Sequence, residues 1–136
     1  MEAILNESYG KVRLDTKEGI VYVYFLGKLS TDDYKNVWNT LFQVALEKNI
    51  RKVFIDQSKI EKASMEARAW VVAKWFPRAK KNLPDNIYIG VLSSASFFAK
   101  IGGEYIANAV SNMSKFTIKF FPSEDDGTNW LKSLSL

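Results

Sequence analysis

The stretch IVYVYFLGKLSTDDYKNVWNTLFQVALEKNIRKVFIDQ, residues 20–57, decides the fold. It opens on IVYVYFLG, a β-branched and aromatic run that reads as a strand buried on both faces. It closes on RKVFIDQ, a second apolar strand that ends in an acid. Between them Tyr34, Val37, Trp38, Leu41 and Ala45 recur three and four apart, which sets one apolar stripe on a helix. Ser30 or Thr31 caps that helix, and Asp32 and Asp33 sit at the positive end of its dipole. Asn49 is the expected stop. A strand, a helix and a second strand in this order form the unit of a parallel sheet, since a helical crossover returns the chain in the same direction.

Outside this unit the same alternation continues. Residues 9–15, YGKVRLD, alternate weakly, and TKEG ending at Gly19 turns them into a hairpin with the strand at 20–27. This first strand is expected to be the antiparallel member, at or near an edge. A second helix starts near Ser64 and carries MEARAWVVAKWFPRAKKN, with Met65, Ala69, Val72 and Phe76 as its expected inner face. Pro77 is expected to break or kink it. NIYIGVLSS reads as a fourth strand, SFFAKIGGEYIANAVSNM as a third helix and KFTIKFF as a fifth strand. Ser123, with an acid three residues on, opens a short last helix. The expectation is a single α/β domain over residues 1–136, with its core at about 9–134. It has a mixed, mostly parallel five-stranded sheet with an antiparallel first strand, and four helices.

Composition narrows the chemistry. The chain has no cysteine and no histidine. Disulfides, thiolate nucleophiles, imidazole bases and Cys or His metal sites are therefore excluded, and the expectation is a protein that is not an enzyme and needs no cofactor or metal. No apolar run approaches the ~20 residues of a membrane-spanning helix, and the N-terminus lacks a secretory pattern, so a cytoplasmic location is expected. The net charge is +4, yet residues 59–82 hold seven of the nineteen basic residues against two acids. The chain carries one basic segment.

Several segments resemble the STAS superfamily, whose fold is that of anti-sigma factor antagonists, and in particular its stand-alone bacterial branch. They are VYVYFLGKLSTDDY, KVFIDQS, IYIGVL and the closing PSEDDGTNWL, which together cover roughly residues 9–134. The resemblance implies a regulatory, protein-binding module. In that family the third strand runs into a serine that a partner kinase phosphorylates, and Asp56 and Ser58 match the first and third letters of the motif. Gln57 and Lys59 depart from it, and Glu61, Lys62 and Ala63 intervene before Ser64, where the helix is expected to start.

Three sets of residues are candidates. Ser58 is an ordinary strand-exit residue bonded to nearby backbone, or a phosphorylation site whose added charge lands near Lys59 and Lys62. Trp70, Lys74, Arg78 and Lys81 mark the second helix, and a helical wheel sets Trp70, Lys74, Pro77 and Lys81 opposite Met65, Val72 and Phe76. Trp70 there either is buried under the loop beyond Pro77, or lies in a homodimer interface, or anchors a surface for another protein or an anionic lipid headgroup. Nucleic acid is not an expected partner, because no RNA-binding aromatic motif is present and the local charge excess is modest. Finally, Gly102 and Gly103 inside the third helix cost it about 1–2 kcal/mol against alanine. Phe98, Ile101, Gly102 and Tyr105 either pack the core or line a pocket between that helix and the sheet for an apolar or lipid-like ligand. The resemblance adds weight to the pocket, because the same branch is often grouped with the phosphatidylinositol-transfer fold.

Overall fold

The hairpin forms where Asp15 and Gly19 dictate it. Asp15 Oδ1 accepts the N–H groups of Lys17 and Glu18 at 3.1 Å, and Gly19 takes φ of 68°, which L side chains resist. It joins β2 (Gly10–Asp15) to β3 (Ile20–Phe25) in antiparallel register, Asp15 opposite Ile20 and Gly10 opposite Phe25. This computed structural model describes residues 1–92 and 115–136. The sheet then continues through parallel pairs, β3 to β5 (Lys52–Asp56), β5 to β7 (Ile87–Leu92) and β7 to β8 (Phe116–Phe121). The mixed, mostly parallel sheet expected from the sequence is present, and all five expected strands are in it.

Two features add to the expectation. An N-terminal strand, β1 (Glu2–Glu7), pairs with β2 and makes the sheet six-stranded, so the hairpin strand is one position in from the edge. Its residues are almost all exposed and a bulge shifts its register between Ala3 and Leu5. It therefore lacks the period-2 apolar pattern that reveals a half-buried strand; backbone pairing alone defines it. A second, two-residue-wide ladder pairs β4 (Gly27–Lys28) with β6 (Ile60–Lys62).

Helix α1 (Thr31–Lys48) is capped by Ser30, whose Oγ accepts the Asp33 N–H at 3.0 Å, and stops at Asn49 in the left-handed conformation. The five stripe residues named from the sequence are all buried. The next helix begins at α2 (Met65–Trp70), capped by Ser64, widens into a π-turn (Val71–Trp75) and continues as α3 (Phe76–Asn82). Phe76 N–H bonds the Val71 carbonyl, five residues back. Pro77 thus does not end the helix. The wider turn just before it relieves the clash its ring makes with the carbonyl four residues earlier.

The expected inner face of this helix is corrected. Met65 and Ala69 are exposed, and the buried residues are Ala67, Val71, Trp75, Phe76 and Ala79. Of the four named, Phe76 is buried and Val72 partly so. The wheel is misphased because Met65, large and apolar, lies in the solvent-facing first turn, while the extra residue of the π-turn rotates the positions beyond it.

Helices α1 to α3 cover one face of the sheet, where Trp38, Trp75 and Phe76 meet edge to face with centroids 4.8–5.8 Å apart. Helix α4 (Glu124–Ser133) packs on the other, burying Ile20, Tyr22, Phe54 and Leu131. Its cap is Ser123, accepting from Asp126 N–H at 3.2 Å, as the capping pattern predicts. No described helix is long and apolar enough to cross a membrane.

Candidate functional site

Strand β5 leaves the sheet at its carboxyl end, the side on which open α/β sheets form ligand crevices. Strand alternation puts Asp56 on the face of Lys52 and Phe54, and the acid is only 5% exposed. Its Oδ1 accepts both the Ser58 N–H at 2.8 Å and the Ser58 hydroxyl at 2.6 Å. Ser58 is a latch on the turn, held by a charge-assisted bond. Asp56→Ala leaves both donors of this half-buried turn without their acceptor and is expected to destabilise by about 1–2 kcal/mol, read from denaturant unfolding.

Beyond Ser58 the chain does not enter a helix. Lys59 and Lys62 give their carbonyls to Gly27 and Leu29 at 2.9 Å, holding residues 60–62 as β6. The helix N-terminus belongs to Ser64, whose Oγ accepts from Ala67 N–H and lies 3.0 Å from Thr31 Oγ1 at the start of α1. Ser58 and the helix-start serine are separate residues here.

Sequence reasoning missed a recess beside this turn. On the face not covered by α1 to α3, Lys11 and Arg13 of β2, Tyr24 and Leu26, Lys59, and Glu124 of α4 line an open cavity of about 310 Å³. Tyr24 hydroxyl donates to Glu124 Oε1 at 2.8 Å. Burial, then the bond and charge of Glu124, push the Tyr24 phenol well above its usual range, so it remains a neutral donor. The Arg13 guanidinium lies 5.7 Å from the Tyr24 ring centroid. The alternation Lys11–Val12–Arg13–Leu14 shows that β2 has a polar face. Nothing local shows that Lys59 and Glu124 come to meet it.

The outer face of α2 and α3 holds the other named residues. Trp70 is half-buried at the border of the core, with Lys35 Nζ of α1 5.3 Å from its ring centroid. Lys74, Arg78 and Lys81 are exposed, and the Arg78 guanidinium stacks 4.1 Å from the Phe42 ring. Lys81 lies in the last turn of the eighteen-residue run that starts at Met65, about 25 Å along the helix from Ser64. The structure groups Trp70 with Lys74 and separates Lys81 from the Ser58 turn. Phe98, Ile101, Gly102 and Tyr105 lie outside the described residues. Among the described residues no group of three or more Asp or Glu is placed to hold a metal ion.

Two solved structures match this architecture over nearly their whole length. An uncharacterized protein of the DUF3478 family with a SpoIIAA-like fold, from Shewanella loihica, superposes with a TM-score of 0.62 at 17% identity. The match covers 93% of this chain and 97% of that one. The fold is STAS-like. An anti-sigma factor antagonist from Mycobacterium paratuberculosis shares it with a TM-score of 0.56 at 12% identity, over 94% of this chain and 98% of that one. No protein-family model and no curated protein matches the chain. The Ser58 turn sits at the end of strand β5, inside the sheet, and β1 forms its antiparallel edge.

Proposed function

We propose that this STAS-like chain is a non-enzymatic regulatory module that acts by binding another protein. The observation that carries the reading is the outer face of α2 and α3, where a half-buried Trp70 adjoins the exposed Lys74, followed along the helix by Lys81. Neither lysine forms an ion pair among the described residues. An aromatic anchor with one exposed lysine beside it and a second further along the helix fits an acidic protein surface, the ring supplying buried area and the lysines steering the encounter. The shared fold with an anti-sigma factor antagonist supports the same class of role.

Ser58 supplies the switch in this proposal. Phosphorylation removes the hydroxyl proton that bonds Asp56 and sets about −1.5 to −2 charges against that carboxylate, which opens the turn. The test is affinity purification of a stoichiometric partner, followed by titration of the two purified proteins. Lys74→Glu with Lys81→Glu is expected to weaken binding at least about tenfold, mostly through the on-rate. Unchanged affinity in that variant removes the helix face from the interaction, and unchanged affinity in Ser58→Asp removes the switch. A lipid co-eluting in native mass spectrometry, with no protein partner recovered, would favour the carrier reading instead.

A further inference from the structure

The recess on the other side of the sheet is a second site, independent of the α2–α3 face. Lys11, Arg13 and Lys59 converge on it, and none forms an ion pair among the described residues. The one carboxylate in its lining, Glu124, accepts from the neutral Tyr24 hydroxyl and keeps its charge, so the lining sets three cations against one anion. Three like charges held around one cavity repel, and an anion placed between them relieves that repulsion.

Their spacing says which anion. Lys11 and Arg13 stand two residues apart on one face of an extended strand, about 7 Å from one another along the chain. An extended peptide presents alternate side chains at the same interval, so acids two residues apart reach both cations. Lys59 lies beyond β3, on the side of Tyr24 away from β2, and is placed for a third contact. A single phosphate would have to be shared by all three cations, whereas a strand of alternating acids gives each of them its own partner. We propose that this recess binds an extended acidic segment of a partner protein, alternate carboxylates pairing with Lys11 and Arg13 while Lys59 closes the far side.

A fluorescein-labelled peptide of alternating Glu and Val is the probe, read by anisotropy on the full chain, with a Gln–Val peptide as control. The Glu peptide is expected to bind, more tightly at low salt, and the Gln peptide not to bind. Lys11→Glu with Arg13→Glu is expected to weaken it about tenfold or more, and Glu124→Gln to strengthen it. Lys59→Glu, in a loop, gives an independent loss, and circular dichroism confirms that each variant is folded. Lys74→Glu with Lys81→Glu, on the opposite face, is expected to leave it unchanged. Equal binding of the two peptides, or undiminished binding by folded Lys11, Arg13 and Lys59 variants, overturns the proposal. So does inorganic phosphate competing as well as the peptide, which would make this a free-anion site. A dimer dissolved by Lys11→Glu would make a second copy the occupant and overturn it too.

Discussion

Trp75→Ala is expected to lower the stability of the chain by about 3–5 kcal/mol, the largest effect expected of any single substitution. Trp75 is 3% exposed and sits in the π-turn. Its ring meets Trp38 and Phe76 edge to face, each at 4.8 Å between centroids, and Phe42 at 6.4 Å. Its Nε1 donates to the Trp38 carbonyl of α1 at 2.7 Å. That bond clamps α2–α3 to α1 at the point where the π-turn leaves its own ladder irregular. Alanine removes the packing and the clamp together, and the surrounding aromatic rings are too rigid to collapse into the space. A melting temperature lower by about 10–15 °C is the expected readout. Trp75→Phe keeps an aromatic ring in the cluster but loses the N–H and a third of the indole's ring atoms; a smaller loss of about 2–3 kcal/mol is expected. A melt unchanged in Trp75→Ala would show that this cluster does not hold the helices to the sheet.

Gly127→Val is expected to cost about 3 kcal/mol or more, and Gly127→Ala about 1–2 kcal/mol, in the direction opposite to helix propensity. In an ordinary exposed helix alanine improves on glycine by about 1 kcal/mol. Here a Cβ at Gly127 would stand 2.6 Å from Phe54 Cε1 and 2.9 Å from Cδ1. Phe54 is fully buried in the central strand beside Tyr22, with ring centroids 6.0 Å apart, and has nowhere to retreat. The helix must therefore lift from the sheet, straining the Tyr24–Glu124 bond at its start and the Lys52–Leu134 bond at its end. Chemical denaturation gives the stability change, and tryptophan fluorescence, through Trp130 of α4, reports the loosened helix. A stabilised Gly127→Ala would show that α4 is free to shift outward at no cost.

Much of the fold is legible in the sequence because it rests on short-range signals. Ser30, one of the two caps expected for α1, and Ser123 cap their helices, Ser64 caps the helix expected to start near it, and Asn49 ends α1. The doubly buried reading of IVYVYF is correct, since α1 covers Val21, Val23 and Phe25 while α4 covers Ile20 and Tyr22. Errors arise where the signal is weak or misleading. Edge strand β1 has no apolar period, and Met65 misdirects the wheel of α2 although it is 57% exposed. For the candidate site, Asp56 and Ser58 stand out as a strand exit, and their bond is a contact between near neighbours that spacing alone suggests.

The amino-acid order alone determined the alternation of strands and helices, the parallel crossover over residues 20–57 and the absence of imidazole and thiol chemistry. These depend on periodicity, capping and side-chain type, which act within a few residues. Only the tertiary structure decided that Lys11, Arg13, Lys59 and Glu124 share one recess, that Trp70 borders the core and that Lys81 stands far from Ser58. Those relations depend on strand order and on the rotation of a helix against the sheet, and the energy that selects both comes from burying distant side chains together.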